Sequence, residues 1–327
     1  MLYRCKNCGG NVVYDPKSKT MKCPHCDGLD TEEPVAGETK VQCPNCGAPV
    51  NPTEFQSAHR CSHCGVYLIV DERVEGEYTP HLIIPFKIDK KEAIDRLNET
   101  FHSRMFIPDG FMSEATLEKM EGMYVPFYLY DFDTRYQWQG HGNQVRTWMM
   151  GDTQYTETKV FRLERDMRAR FRKVPADASL VMDDDLMDLM EPYEYEALEN
   201  FQKKYMSGFY AEMYSQNDTE LEDRAKAKVT PALKEKMDAT LAEYIRVGAE
   251  VDNIQISREA ANYALLPVWI YTFGYKGEAY HFFVNGQTGK VIGKAPLSFG
   301  KAALYSASWF AFVMLAGQLI RMIMEVL

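Results

Sequence analysis

Alternating apolar and charged positions form the clearest pattern along the chain, within residues 155–173. The apolar set lies at odd positions and the charged set at even positions: Phe161, Leu163, Met167, Ala169 and Phe171 against Arg162, Glu164, Asp166, Arg168, Arg170 and Arg172. Because successive side chains of a strand point to opposite faces, this period of two predicts a strand with one buried and one solvated face. The basic residues Arg168, Arg170, Arg172 and Lys173 are interpreted as solvated, and contact with phosphate or acidic lipid is the alternative.

Continuous apolar runs predict strands that are buried on both faces. One run begins with Tyr124-Val-Pro-Phe, and Leu265-Leu-Pro-Val-Trp-Ile-Tyr repeats its pattern, which is compatible with a duplicated α+β unit. Residues 135–150 are predicted to form further strands, with turns at Gly140 and Gly142. Shorter strands are predicted at 66–70, 81–86, 280–284 and 290–292, with a tight turn at 285–289.

Three stretches predict helices. Asp89 is the expected N-cap of a helix over residues 90–104. Residues 183–215 are predicted to be helical with a break near Pro192, and the acids 183–185 are interpreted as favourable charges at the helix N-terminus rather than as a metal site. A longer helix is predicted from 218 to 247, because apolar residues recur every four positions at Ala225, Val229, Leu233, Met237, Leu241 and Ile245.

The C-terminal stretch 302–320 contains nineteen residues and no charged side chain. As a helix it would span roughly 28 Å, close to the ~30 Å hydrocarbon core of a bilayer. Lys290, Lys294 and Lys301 precede it, whereas Arg321, offset by Glu325, follows it, so the positive-inside rule places the N-terminal bulk in the cytoplasm. We predict a single-pass tail anchor in the cell membrane. A buried or interfacial helix of a soluble fold is the alternative.

All eight cysteines lie in two copies of one spacing, CxxC followed by fourteen residues and CxxC. The first copy is Cys5, Cys8, Cys23 and Cys26, and the second is Cys43, Cys46, Cys61 and Cys64, offset by 38 residues at every position. Two residues between cysteines allow both sulfurs to reach one ion, and zinc in structural sites takes four tetrahedral thiolates. The spacing predicts two tandem zinc ribbons with one structural Zn²⁺ each.

Other uses of these cysteines are less favoured. Disulfides need an oxidising compartment, and no signal peptide precedes Cys5. A redox CxxC should lie beside a βαβ pattern, and an interleaved cross-brace would not need such an even repeat. Iron could occupy the same thiolates. His25 and His63 lie inside the CxxC pairs and are interpreted as exposed rather than ligating, because each four-cysteine set is complete.

The predicted fold class is therefore α+β, with zinc ribbons at 1–34 and 39–74, an antiparallel-sheet domain at 78–298 and a transmembrane helix at 302–320. Residues 27–40 are predicted to be a flexible linker. The 327 residues are 46% hydrophobic, which is ample for a core, and carry a formal net charge of −10. Residues 1–74 hold 8 basic and 9 acidic side chains, and residues 75–301 hold 28 and 37. Without a basic excess, nucleic-acid binding is disfavoured.

Short motifs outside the cysteine pairs carry a resemblance to a known family. They are Ile84-Pro85-Phe86, Tyr124-Val-Pro-Phe, Arg146-Thr-Trp148 with Gly151-Asp152, Tyr155-Thr-Glu-Thr-Lys159, Val174-Pro-Ala-Asp-Ala-Ser179, Leu266-Pro-Val-Trp269 and Phe283-Val-Asn-Gly-Gln-Thr-Gly-Lys290. With the CxxC pairs, they make the chain resemble bacterial membrane-anchored, TFIIB-type zinc-ribbon proteins. Some members are similar to membrane partners of PspA-type envelope-stress proteins, and the family supplies no established catalytic residues. The resemblance therefore implies a protein partner of this kind.

Two classes of function follow from these observations. The first is a non-enzymatic membrane adaptor that binds protein at the cytoplasmic face, and the second is a membrane-tethered, nucleic-acid-binding regulator. A helicase-like activity is disfavoured because the chain lacks the GxxxxGK[ST] loop that cradles phosphates. The seven histidines lie near no nucleophile motif, and we predict no catalytic residue, no cofactor besides zinc, and compatibility with homo-oligomer formation.

Overall fold

Three long strands dominate the computed structural model, which describes residues 1–37 and 39–326, without the side chains of Arg246, Ile323, Glu325 and Val326. The described strands are β1 Leu2–Cys5, β2 Val13–Asp15, β3 Thr20–Lys22, β4 Glu32–Val35, β5 Gln56–Arg60, β6 Tyr67–Ile69, β7 Leu82–Ile83, β8 Glu121–Met150, β9 Thr153–Asp177, β10 Glu199–Asn200, β11 Tyr210–Glu212, β12 Ile245–Tyr275, β13 Glu278–Asn285 and β14 Val291–Gly293. The helices are α1 Lys90–Phe101, α2 Glu114–Leu117, α3 Asp184–Leu189, α4 Glu222–Leu241 and α5 Phe299–Val326. The predicted α+β class is confirmed.

One ten-stranded sheet contains β8, β9 and β12. β8 lies between β9 and β12 and pairs with both in antiparallel fashion. β13 and β7 pair with the outer edge of β12. On the other side, β11 pairs in parallel with β8, β5 pairs with β11, and β6 pairs with β5. The two apolar runs therefore pair with each other, with Pro126 opposite Leu265 and Pro267 opposite Tyr124. Both runs are buried on both faces, as predicted.

The alternating segment forms β9, and its two faces differ as predicted. Leu163 is buried and Phe161, Met167 and Phe171 are partly buried, whereas the charged even positions face solvent. Helix α4 covers the buried side of this region with Ala225, Val229, Leu233, Met237 and Leu241. The predicted helix over 218–247 is too long, because β12 begins at Ile245. That residue continues the apolar spacing of four, yet its backbone pairs with Asn143 of β8.

The turns predicted at Gly140 and Gly142 are wrong, because β8 runs through both positions. A Cβ on Gly140 would lie 2.0 Å from the carbonyl oxygen of Gly248, and one on Gly142 would lie 2.8 Å from Tyr244. These glycines therefore allow close approach of neighbouring chain segments, which is the other common use of glycine in a strand.

Of the helical stretch predicted over residues 183–215, the part before the break near Pro192 forms, but the part beyond it is wrong. Only α3 forms, and the remaining residues make two short 3₁₀ turns and the strands β10 and β11. Pro192 lacks an N–H and disfavours helix for the preceding residue, which ends α3 early. The apolar side chains beyond it enter different parts of the core: Tyr193 packs near Met190, while Met206 and Phe209 join the main cluster.

Two further predictions are corrected in detail. Asp89 caps α1 as expected, accepting a hydrogen bond from the Glu92 N–H at 2.8 Å, but the helix ends at Phe101 rather than at 104. The segment predicted as a flexible linker contains β4, which pairs with β1 from Cys5–Glu32 to Leu2–Val35. Backbone pairing satisfies its polar groups without any apolar periodicity, so the composition did not reveal this strand.

Aromatic rings fill the centre of the core around Phe86. Its ring stacks on Phe209 with centroids 4.0 Å apart and meets Tyr124 and Trp269 edge-on at 5.0 and 5.1 Å. The indole N–H of Trp269 donates to the carbonyl of Ile88 at 3.0 Å, so its polar atom is satisfied. This cluster joins the loop after β7 to both central strands.

We expect Gly140→Ala to destabilise the fold by about 1–3 kcal/mol, because the new methyl group must displace backbone of β12. Gly248→Ala is the matched control, since a Cβ there meets no atom within 4 Å. Denaturant unfolding of both variants would check this. Equal stability of the two variants would contradict the close approach of the strands.

Candidate metal centres

Each CxxC pair forms a tight turn with the same backbone hydrogen bonds. The N–H of Cys5 donates to Gly10 O and the N–H of Gly9 donates back to Cys5 O, both at 2.8 Å. The same two bonds recur at the other three pairs. Gly9, Gly47 and Gly65 adopt φ of 73–75°, and Asp27 takes the equivalent place with φ 55°. Glycine adopts this left-handed conformation without steric cost, which explains its place after three of the four pairs.

The eight cysteines gather into the two predicted groups, Cys5, Cys8, Cys23 and Cys26, and Cys43, Cys46, Cys61 and Cys64. In the first group Sγ atoms approach to 3.6 Å between Cys5 and Cys26 and 3.5 Å between Cys8 and Cys23. The corresponding distances in the second group are 3.7 and 3.9 Å. Four sulfurs placed tetrahedrally about 2.3 Å from a zinc ion would be about 3.8 Å apart. Each group could therefore hold one zinc ion.

The geometry excludes the competing arrangements of these cysteines. All eight are free thiols, and their separations are far longer than the ~2.05 Å of a disulfide. Each group draws on one half of the repeat, so the centres are not cross-braced. Neither group of ligand atoms includes His25 or His63.

The thiols without metal differ in acidity although the two sequences repeat. The Thr31 hydroxyl, 3.1 Å from the Cys5 sulfur, lowers the pKa of Cys5 to about 6. Burial raises the pKa of Cys43 to about 12. Four crowded thiols cannot all ionise at neutral pH without a cation, and a bound zinc ion would supply that charge. One cysteine of each pair, namely Cys5, Cys23, Cys43 and Cys61, is buried, which leaves the other on the solvent side.

Both centres are joined to the main domain, by different contacts. In the first ribbon, the Tyr14 N–H donates to Ser207 O at 2.8 Å, and the Ser207 hydroxyl donates to Val12 O at 2.6 Å. In the second ribbon, β5 pairs with β11 through Ala58 and Ala211, so this hairpin belongs to the large sheet. The second ribbon therefore adds a hairpin to the main sheet, whereas the first places buried side chains such as Tyr14 and Met21 in the main core.

Structural partners are present for Arg170, Arg172, Lys173 and Asp183 among the charged groups singled out in the sequence. Arg170 and Arg172 both lie 3.4 Å from Asp133 on the solvated face, and Lys173 Nζ donates to Tyr195 O. Asp183 caps α3 by accepting from the Leu186 N–H at 3.0 Å. Arg168 lies on the same exposed face, opposite Arg135. These positions agree with a solvated face and a capped helix.

The motifs that carry the resemblance fall into two places. Those at residues 84–86, 124–127, 174–179, 266–269 and 283–290 meet in the core, where the Gly286 N–H donates to Pro267 O and the Ala178 N–H to Pro126 O, both at 2.9 Å. Those at 146–152 and 155–159 lie on the exposed end of β8 and β9.

A buried acid pair went unnoticed in the sequence, where isolated acids give no signal. Burial raises the pKa of Asp177 to about 7 and also raises the pKa of Glu212. Ser179 links them, donating its hydroxyl to Glu212 at 2.7 Å and its N–H to Asp177 at 3.1 Å.

The apolar C-terminal segment forms α5, and its window Phe299–Met322 is long and apolar enough to cross a membrane. None of that window is buried against the described protein. Its first turn is held at the domain: the Ser298 N–H donates to Phe106 O at 2.7 Å, and Lys301 Nζ lies 2.6 Å from Asp109. The rings of Phe106 and Tyr305 also touch, with centroids 5.5 Å apart.

Elemental analysis of the purified protein should give about two zinc per chain. Cys23→Ser and Cys61→Ser should each reduce this to about one, because three thiolates bind zinc more weakly than four. Cys61→Ser should also loosen the pairing of β5 with β11, because Cys61 directly follows β5, whereas Cys23→Ser should leave this pairing intact.

His25→Ala and His63→Ala are the controls and should retain both ions. Iron as the main metal, or loss of zinc from a histidine variant, would contradict the assignment. Amide hydrogen exchange in β11 would distinguish the two cysteine variants, with faster exchange expected in Cys61→Ser than in Cys23→Ser.

A search against protein-family models found no match, and no solved structure matches. The chain is similar to a protein of Bacillus subtilis (strain 168) described as "Uncharacterized protein YdjG". The two are 34% identical over 327 aligned positions, which cover 94% of this chain and 93% of the relative. Similarity at this level and over this length indicates common descent. The chain belongs to the same protein family as Bacillus subtilis YdjG.

Proposed function

We propose that this protein is a membrane-anchored zinc-ribbon adaptor that binds protein partners at the cytoplasmic face of the cell membrane. The observation that carries the proposal is α5, whose apolar side chains have no cover within the described chain although its first turn is fixed to a folded domain. Burying Phe310, Val313 and Leu315, each at least 60% exposed, in lipid would be strongly favourable.

The metal centres support a structural role for zinc. Each has four cysteine ligand positions, so a bound zinc ion would have no open position for substrate or water, which catalytic zinc requires. Zinc bound by the four cysteines would therefore stabilise the fold of each ribbon, and the exposed loops of the ribbon would remain accessible to a partner. A non-enzymatic adaptor is the function that this arrangement favours.

The partner we propose is a PspA-type protein of the envelope-stress response, recruited to the membrane. This rests on the motif resemblance alone. A membrane-tethered nucleic-acid-binding regulator is the second candidate, suggested by the ribbon fold itself. It is disfavoured by the near-neutral ribbons and the acidic sheet domain, since phosphate binding depends on basic side chains.

Val313→Arg should weaken membrane insertion by roughly 2.5–3.5 kcal/mol, because the charge would lie in mid-span. Val313→Leu keeps the apolar surface and is the control. The fraction of protein resistant to carbonate extraction would report the difference. Removing residues 302–327 should release a folded protein that retains zinc. Full-length protein in the soluble fraction without detergent would refute the anchor.

Vesicles carrying the full-length protein should sediment a purified PspA-type protein, and empty vesicles should not. In parallel, labelled DNA and RNA should bind no tighter than about micromolar at physiological salt. Tight, salt-sensitive nucleic-acid binding without recruitment would favour the regulator. Recruitment that persists after both ribbons have lost zinc would place the binding surface on the sheet domain.

A further inference from the structure

The sheet narrows to a two-stranded arm at one end. β12 begins at Ile245, opposite Asn143, so β8 continues beyond this point paired only with β9 among the described residues. We call residues 144–150 and 153–159 the arm. Two-stranded ribbons are only marginally stable alone in water. The arm therefore has two open edges, one on each strand.

The turn at the end of the arm determines which backbone groups each edge presents. Gly151, with φ 62°, and Asp152 form a two-residue turn, so Met150 and Thr153 face each other as a hydrogen-bonded pair. Hydrogen-bonded and non-hydrogen-bonded pairs alternate along an antiparallel ladder. Thr147 and Thr156 then form a closely spaced, non-hydrogen-bonded pair, in agreement with the 3.4 Å between their hydroxyl oxygens.

It follows that the polar backbone atoms of odd-numbered arm residues in β8 point outward. These residues are Val145, Thr147 and Met149, and each offers an N–H and a C=O at the β8 edge. The backbone N–H and C=O of Asn143 point to the same edge of β8, and at that position β12 lies alongside and pairs with it. Beyond Asn143, where the pairing with β12 stops, the outward N–H and C=O groups of β8 are therefore free to pair with another strand.

The two edges of the arm are protected very differently. Soluble proteins guard open strand edges with charged side chains, proline or bulges. On β9 the arm carries Glu157 and Lys159. On β8, residues 144–150 contain a single charge, Arg146, and no proline or glycine. Met149 and Met150 are 63% and 67% exposed there. Such an apolar edge pairs readily with another strand.

We propose that the β8 edge of the arm pairs with the same edge of a second copy of this chain, antiparallel about a two-fold axis at Trp148. In this register Thr147 of each copy lies opposite Met149 of the other. Both residues direct their backbone groups outward, so each of the two pairs exchanges two hydrogen bonds. The interface is isologous and extends the arm to a four-stranded sheet.

The side chains suit a copy of the same strand. Trp148 and Tyr155 already stack across the arm, with ring centroids 5.8 Å apart and planes 14° apart. The two-fold axis would bring the two Trp148 side chains side by side, giving one row of four aromatic rings on one face. Arg146 would lie opposite Met150 of the second copy, so no like charges would face each other.

The register also leaves room for the turn of each arm. Met150 of the second copy would lie opposite Arg146, and its turn would reach the level of Val145. β12 begins only at Ile245, opposite Asn143. A pairing centred on Thr147 would add one more hydrogen-bonded pair but would bring the turn against Ile245. The position of β12 therefore selects Trp148 as the centre.

Thr147→Pro tests the proposal, with Thr156→Pro as a matched control. The two threonines face each other, and the N–H of each points away from the other strand. Proline at either place should therefore spare the hydrogen bonds between β8 and β9. Proline at 147 removes two of the four proposed inter-chain bonds, whereas proline at 156 removes none. Full-length, zinc-loaded protein in detergent micelles would be analysed by sedimentation, with detergent density matched.

Wild type and Thr156→Pro should sediment as dimers, and Thr147→Pro should dissociate on the order of tenfold or more readily. A photoreactive phenylalanine analogue at Trp148 should cross-link to the second copy. A monomeric wild type would overturn the proposal, even if the monomer were found to bind a different protein through this edge. Dimers unaffected by Thr147→Pro, or equally weakened by Thr156→Pro, would also overturn it.

Discussion

The antiparallel pairing of β8 with β12 positions the rest of the molecule, because most other elements attach to one of these two strands. The pairing runs from Asn143–Ile245 to Glu121–Ile270. β9 and β11 add to the other edge of β8, and β7 and β13 add to that of β12. A slip of one residue would turn every side chain to the opposite face, so burial under α4 keeps the pairing in one register.

The two zinc ribbons join the sheet domain in different ways, the first by buried side chains and the second by strand pairing. Each ribbon is too small to hold its shape by apolar burial alone, and metal coordination would supply the missing free energy. The chain start also joins the ribbons to the core: the Met1 amine donates to Ile69 O at 2.5 Å and lies 2.9 Å from Asp71, which also binds Lys203 at 2.7 Å. Burial lowers the pKa of this amine, and the Asp71 carboxylate opposes that shift.

The length of β12 separates two exposed apolar surfaces. Its 31 residues span at most about 100 Å, from Ile245 beside the arm to Tyr275 near the start of α5. At the latter end Lys276 lies 5.6 Å from the ring of Phe299. At one end lies an apolar helix long enough to cross a membrane, and at the other lies an open strand edge. The proposed contacts with lipid and with a second copy would therefore not compete for one surface.

The sequence by itself determined the metal centres, the charged face of β9, the buried runs at 124 and 265, and the apolar span of α5. Each is encoded by local spacing: CxxC places two sulfurs at one ion, and a period of two separates the faces of a strand. Tertiary structure decided the rest. Ile245 lies in a strand rather than in a helix because its backbone pairs with Asn143 of β8. Gly140 lies inside a continuous strand rather than at a turn, and its lack of a side chain allows Gly248 to approach closely. The open edge of the arm likewise depends on where β12 begins, a long-range contact that no local pattern contains.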